Sequence, residues 1–295
     1  MSKIENFNQL VTRAMNAPGR THLRPAIAKE LLHYDILFCL DAKGLLDKIT
    51  FQGGTSLRLC YGASRFSEDL DFVGGHDFAT ANLIEMKLCL EQYIGERYGL
   101  EIAVKEPKEM ALTPQGQDIK VDKWQIAIVT SPERKDLPKQ KIKIEVANVP
   151  AYSRAPLALQ QNYEFLPDGY SDTLIMTETL DEIMADKLIS LVSCQRYIRY
   201  RDIWDLRWLK QQGALINPEF ILAKINDYRE QDYAIKLDSL LSRLDEIVKS
   251  KAFKDEISRF IPTDVLERTL EQGKFIDFLI NENRYLLNQV KAIIS

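Results

Sequence analysis

Metal-ligating and redox side chains are scarce in this sequence. It has three histidines (His22, His33, His76) and four cysteines (Cys39, Cys60, Cys89, Cys194), with no CxxC, HxxxH or mixed cluster among them. That excludes the usual zinc spacings. The cysteines sit among apolar residues, as in LFCL, LRLCY and KLCL, so buried free thiols are the expectation. No run of about 20 apolar residues is present, and the opening MSKIENFNQL lacks an apolar signal stretch. These absences predict a cytoplasmic protein with reduced thiols and no membrane partner. Charge of one sign is not in excess either: 39 basic against 43 acidic residues leave a net charge of −4. With no global positive field, any polyanion must be met by a local basic patch. Internal repeats and low-complexity tracts are also missing.

What is present is an ordinary globular balance, 45% apolar and 28% charged over 295 residues, enough for one large domain or two ordinary ones. Residues 25–47 carry Ile27, Leu31, Leu32, Ile36, Leu37 and Leu40 at helical spacing, with Pro25 in the first turn and Gly44 near the end. ITFQ reads as a short strand running into Gly53-Gly54, TSLRLCYG as a short helix and DLDFVGG as another short strand. A helix is predicted over 79–98, through Leu83, Met86, Leu90 and Ile94. LEIAVKE, VDKWQIAIVT and QKIKIEVANV have the alternation of strands, and 150–172, with three prolines and Gly169, reads as loop. From about Thr177 the pattern turns helical, opening on a capping box of Thr179 and Glu182. Further helices are predicted near 199–212, 217–230, 233–249 and 263–293. The expected organisation is an N-terminal domain of helices and strands over 1–175 and a helical domain over 176–295.

The chemistry-bearing residues gather early. In a strand, Asp69 and Asp71 point to the same face, so their carboxylates repel unless a cation lies between them. Mg²⁺ (or Mn²⁺) takes such oxygen ligands. Taken alone, the pair is a weak signal and more often marks an exposed strand end. Upstream, Gly53-Gly54-Thr55-Ser56 stands between a strand and a helix, where small residues let backbone N–H groups and a hydroxyl approach phosphate oxygens. A plain turn is the alternative there. Arg65 and Ser67 add a cation and a hydroxyl beside the acids. Together, phosphate cradle and carboxylate pair describe a phosphoryl- or nucleotidyl-transfer site, far more specific than either half.

The stretch FQGGTSLRLCYGASRFSEDLDF resembles the signature of the AbiEii/AbiGii nucleotidyltransferases. These are toxins of bacterial type IV toxin–antitoxin and abortive-infection systems, within the DNA polymerase β superfamily, and the MenT toxins belong to the same group. The likeness continues at ETLDEIMADKLISLV and RYRDIWDLRWL, so it spans roughly residues 25–212. Ile203-Trp204 departs mildly from the family's RDLYDL and leaves Arg201, Asp202 and Asp205 in place. The resemblance implies an α+β fold: a polymerase β-like domain with a mixed sheet and flanking helices, followed by a C-terminal helical domain. It implies Asp69 and Asp71 as catalytic metal ligands and a nucleoside triphosphate as substrate. Lys187 and Asp202 are implied as catalytic residues supplied by the helical domain. It further implies an RNA acceptor, in the first place a tRNA 3′ end, with blocked translation as the result, and a cognate antitoxin as partner.

Other residues stay open on physical grounds alone. Lys187 points with the stripe of Ile183, Met184, Leu188 and Leu191, so it either snorkels to solvent or faces an anion. Asp202 at a helix start is favoured by the helix dipole alone. Glu145 is conspicuous as an acid in an apolar alternation, and is the candidate third metal ligand that a polymerase β-type site calls for. Arg196, Arg199 and Arg201 interleave with Tyr197 and Tyr200, a pattern suited to phosphates and bases, and Lys139, Lys141 and Lys143 share one strand face. Two rival functions remain: nucleotidyl transfer to a small molecule or a protein hydroxyl, and a non-catalytic nucleotide-binding module.

Overall fold

A seven-stranded mixed sheet organises the first part of the chain, and alternating burial explains which residues build it. The structure is a computed structural model and describes residues 4–107, 120–133, 136 and 138–295. Two compact units are present, Met1–Thr177 and Glu178–Ser295. In chain order the first contains α1 (Phe7–Ala14), α2 (Arg24–Ala42), β1 (Thr50–Gln52), α3 (Gly53–Leu59), β2 (Leu70–Val73), α4 (Met86–Tyr98), β3 (Ile102–Lys105), β4 (Val121–Ile128), β5 (Gln140–Ala147), β6 (Arg154–Ala158) and β7 (Leu174–Glu178), whose last residue opens the second unit. The sheet order is β3-β4-β5-β2-β1-β7-β6. β2 runs parallel to β5 and β1 to β7, while β1–β2, β3–β4 and β4–β5 are antiparallel. The predicted mixed sheet with flanking helices is therefore present.

Register follows from which face is apolar. Trp124, Ile126 and Ile128 on β4, Ile142, Ile144 and Val146 on β5, and Leu70 and Phe72 on β2 are all buried. α2 and α4 pack against each other and against β5 and β3 respectively. A slip of one residue would turn this apolar set to solvent, so the pairing is strongly specified. α2 is buried on nearly every side, including Glu30, His33 and Asp35. Each of these has a partner, as burial of a polar group demands. Asp35 accepts from Tyr98 Oη at 2.8 Å, Tyr170 Oη at 2.6 Å and Arg97 Nη1 at 2.7 Å. Burial still pushes its carboxyl up to about 6. Lys43 caps the helix and Gly44 turns the chain away at φ +64°.

The second unit is helical: α5 (Leu180–Ser193), α6 (Tyr200–Gln211), α7 (Pro218–Asp227), α8 (Tyr233–Lys249), α9 (Lys251–Ser258), α10 (Thr263–Arg268) and α11 (Gly273–Ile294). α5 packs on α6, α7 and α8, and α11 packs on α6, α7 and α8. No described helix is long and apolar enough to cross a membrane.

Several expectations are corrected. The stretch read as loop contains β6, and a strand, β7, precedes the helical region. The helix predicted over 79–98 starts only at Met86, after a short 3-10 turn at Thr80–Leu83. The single helix predicted over 263–293 is two, α10 and α11, broken where Thr269 leaves helical geometry. α1 and α9 were not anticipated. The capping box does not form: the Thr179 side chain makes no cap bond, and the Glu182 carboxylate that would supply the reciprocal bond pairs with Lys224 at 2.8 Å. Finally, the cysteines are not all free. Cys39 of α2 and Cys89 of α4 are joined as a disulfide, their Cα atoms 6.7 Å apart in the contact between those helices. Cys60 and Cys194 are free, and burial pushes the Cys60 thiol up to about 12.

Candidate active site

The site is built on the tight connection from β1 to α3. Gly53 has φ +78°, the left-handed region that favours glycine, and a Cβ there would stand 2.9 Å from Asp71 Oδ2. A Cβ on Gly54 would stand 2.6 Å from Arg65 Nη2 and 3.0 Å from Ser67 Oγ. Absent side chains thus let a carboxylate, a guanidinium and a hydroxyl close onto one backbone turn. The hydroxyls of Thr55 and Ser56 are engaged inside the fold: Thr55 Oγ1 donates to the Asp69 carbonyl, and Ser56 Oγ donates to the Gly53 carbonyl at 2.9 Å. Both residues are buried. They tie the glycine turn to the strand that bears the acids.

Register then lines the acids up. Gln52 lies opposite Asp71, Asp71 opposite Glu145, and Glu145 opposite Lys123. Asp69 adjoins this row, its Oδ1 accepting from the backbone N–H of Lys143 at 3.0 Å. Two ammonium groups accompany the acids: Lys123 Nζ is 3.1 Å from Glu145 Oε1, and Lys143 Nζ is 3.6 Å from Asp69 Oδ2. The Asp69 and Glu145 side chains keep 32% and 27% of their surface in solvent. Oxygen donors that water can still reach are the kind a hard divalent cation takes, although among the described residues these three carboxylates are not drawn within 4.8 Å of one another as Glu178, Glu182 and Asp186 are.

The segment between α3 and β2 is held from beneath. Lys29 Nζ is 2.8 Å from Glu68 Oε1, and His33 Nε2 donates to the Glu68 carbonyl at 3.0 Å. Burial pushes the His33 imidazole down to about 4, so it is neutral at physiological pH. Arg58 pairs with Glu30 at 2.8 and 3.1 Å and lies over the Phe66 ring at 4.4 Å. Sequence reasoning missed these supports. The available signal was an acid and a histidine three residues apart inside an otherwise apolar helical stripe.

In the second unit, Lys187 does not snorkel. Its Nζ lies 3.0 Å from Asp202 Oδ1 and 2.8 Å from Asp205 Oδ2, with 7% of the side chain exposed. Asp202 also takes Arg199 Nε and, at 3.0 Å, Ser190 Oγ. Burial by itself raises the Asp202 carboxyl, but the Lys187 ammonium and the Arg199 guanidinium outweigh it and hold the group well below the usual range. Arg201 lies 3.6 Å from Glu256 and over the Phe260 ring, while Arg196 is exposed. A second cluster was not foreseen. Glu178, Glu182 and Asp186 bring carboxylate oxygens within 4.8 Å of one another. Lys224 Nζ sits among them at 3.5, 2.8 and 3.0 Å. The cation of this trio is an ammonium of the same chain. Burial, and then the neighbouring Asp186, raise the Glu178 carboxyl well above the ordinary range.

Comparison with known proteins decides the family. Residues 35–275 match the family described as nucleotidyl transferase AbiEii toxin, type IV TA system. The chain belongs to the AbiEii family. It is accordingly a nucleotidyltransferase of the toxin–antitoxin class, a family that works with nucleoside triphosphates and a divalent metal and is paired with an antitoxin. Among solved structures it is similar to MenT4, a nucleotidyltransferase toxin from Mycobacterium tuberculosis, at 18% identity and a TM-score of 0.53, with 99% of each chain covered. It is also similar to JHP933 from Helicobacter pylori, at 17% identity and a TM-score of 0.45, covering 90% of this chain and 92% of that one. At such identity the MenT4 match speaks to the fold. No curated protein matches the chain.

Proposed function

We propose that this AbiEii protein transfers a nucleotide from a nucleoside triphosphate to an RNA acceptor, in the first place a tRNA 3′ end, and so inhibits translation and growth until its antitoxin intervenes. The observation that carries the reading is the row Gln52, Asp71, Glu145, with Asp69 beside it and the Gly53-Gly54 turn closed against Asp71, Arg65 and Ser67. Asp69, Asp71 and Glu145 are assigned as ligands of Mg²⁺ (or Mn²⁺). Bound there, the metal would supply Lewis acidity toward the α-phosphate and lower the pKa of the attacking hydroxyl, whose oxygen bonds to the α-phosphorus, losing its proton, as the bond to the departing pyrophosphate breaks.

The remaining roles belong to the chain itself. Gly53 and Gly54 offer backbone N–H groups to the triphosphate, with Arg65 and Ser67 placed against that turn as charge and hydrogen-bond donors. Thr55 and Ser56, assigned to the nucleotide site, act through the turn geometry that their hydroxyls hold. Lys187 and Asp202 enter through the family's later motifs: Asp202 and Asp205 hold the Lys187 ammonium in one orientation. Arg196, Arg199 and Arg201 are assigned to the RNA. The cytoplasm is the compartment where these substrates meet.

The test is incubation with Mg²⁺, each labelled triphosphate in turn and total RNA, with and without RNase. RNase-sensitive label that is lost in Asp69→Ala and Asp71→Ala is the expected result. Incorporation unchanged in those variants defeats the assignment, and label that resists RNase redirects it to a protein or small-molecule hydroxyl.

A further inference from the structure

Sheet register places more than the acids on the open face. Next to the row of Asp71, Glu145 and Lys123 comes one in which Lys143 pairs with Gln125 and Gln125 with Lys105. The row after it pairs Lys141 with Ala127 and Ala127 with Ala103. Lys139 stands two residues further along, 2.9 Å from Glu101. Because side chains alternate along a strand, Lys105, Lys123, Gln125, Lys141 and Lys143 share the face of Glu145, with Lys139 just before β5, while Val104, Trp124, Ile126, Ile142 and Ile144 fill the core behind. Lys123, Lys139 and Lys143 are 59%, 48% and 51% exposed, and Lys105 and Lys141 are exposed as well. Between them the floor is Ala103, Ala127 and Gln125, low and free of bulky apolar groups. In a chain of net charge −4, this concentration of lysine beside an acid cluster is a local exception.

We propose that this face of β3, β4 and β5 is the bed of a single RNA strand, with phosphates lying along Lys143, Lys105 and Lys141 and the strand's end directed to the carboxylates. The inference rests on the nucleotidyl-transfer reading and names the path its acceptor takes. Alternate residues in a strand are about 7 Å apart, so the rows from Glu145 to Lys139 extend roughly 20 Å, several nucleotides rather than one triphosphate. β4 and β5 are interior strands, each hydrogen-bonded on both sides. Adding a peptide strand to them is therefore closed off, and side-chain charge is what the face offers. Ammonium–phosphate contacts of this kind fix position without reading sequence.

The experiment measures binding of a short labelled single-stranded RNA to the full-length protein across a salt series, in EDTA and without nucleotide. In Lys105→Ala/Lys141→Ala, affinity at low salt falls roughly tenfold and the slope of log K against log salt shrinks by about 1.4, or 0.7 per lost phosphate contact. Lys251→Ala, at a 90% exposed lysine of the second unit, leaves both unchanged. Wild-type affinity and slope in a double variant that melts like the parent overturn the proposal. So does polyglutamate competing as well as RNA of equal charge, which would make the face a site for acidic protein. Transfer that fails with every triphosphate while lysine-dependent RNA binding persists counts against the nucleotidyl-transfer reading alone. Transfer that persists while binding ignores both lysines counts against this surface alone.

Discussion

On the sheet of the first unit, Asp69 and Glu145 stay partly in solvent beside exposed lysines, whereas in the second unit Glu178 and Glu182 are sealed, with Asp186 nearly so, around the fully buried Lys224. The two clusters are similar in composition, three carboxylates with ammonium groups within reach, and opposite in consequence. A half-exposed acid can exchange one cation for another at small cost, because water stands in during the exchange. A buried acid cannot, since removing its partner leaves an uncompensated charge in a poor dielectric. A search for convergent acids alone would select the sealed trio as the metal centre, and its resident ammonium argues against that choice. Lys187 with Asp202 and Asp205 is of the sealed kind too, although it lies in a family motif.

The largest effect expected from breaking this contrast is on the sealed side. Lys224→Met leaves the trio without its cation and should destabilise the second unit by about 3–5 kcal/mol, read as a lower denaturant midpoint. Adding Glu182→Gln should recover part of that loss. A midpoint that hardly moves in the single variant would mean that the trio does not depend on the Lys224 ammonium.

Asp71→Asn probes the open side. Transfer should fall by 10²-fold or more, about 3 kcal/mol of barrier, while the melting temperature holds or rises because a repulsive charge has gone. Marked unfolding with residual transfer would place Asp71 among the structural acids instead.

His33 is an intermediate case, buried yet neutral beneath the open site. Its folded pKa of about 4 lies below the ordinary 6.5, so between those values the unfolded chain binds more protons. Stability is therefore full above about 6.5 and lost as pH falls toward 4, by up to about 3 kcal/mol. In His33→Gln this acid-side slope should flatten relative to wild type, measured by denaturation from pH 7 downward. Asp35 titrates in the opposite sense in both proteins and cancels in the difference.

The smallest effect concerns geometry alone. Gly53→Ala forces a Cβ to 2.9 Å from Asp71 Oδ2 at a positive φ, costing about 1–2 kcal/mol of stability and weakening Mg²⁺ binding measured by calorimetry. Gly62→Ala, also at positive φ but with nothing within 4 Å, should show the stability cost without the metal effect.

Much of the candidate site was legible because it depends on local rules. Asp71 lies on β2 and Asp69 immediately before it, and the glycine turn, helix and acidic strand follow one another within a short stretch. Glu145 stood out as an acid in an alternating strand, although only pairing between β2 and β5 brings it opposite Asp71. What sequence reasoning missed was long-range: Glu30 with Arg58, His33 beneath Glu68, Lys224 among three acids, and Cys39 with Cys89. β6 and β7 were hidden for a related reason. Each is five residues long, and neighbouring strands rather than pattern define them.

The sequence by itself determined the order of motifs, the spacing of the paired acids and the change from strands to helices. These depend on side-chain periodicity and backbone preference within a few residues. Tertiary structure alone decided which cation each acid meets and how much water reaches it. Ion pairing across strands and helices is set by register and burial, and no local stretch of chain encodes the distance between partners far apart in sequence.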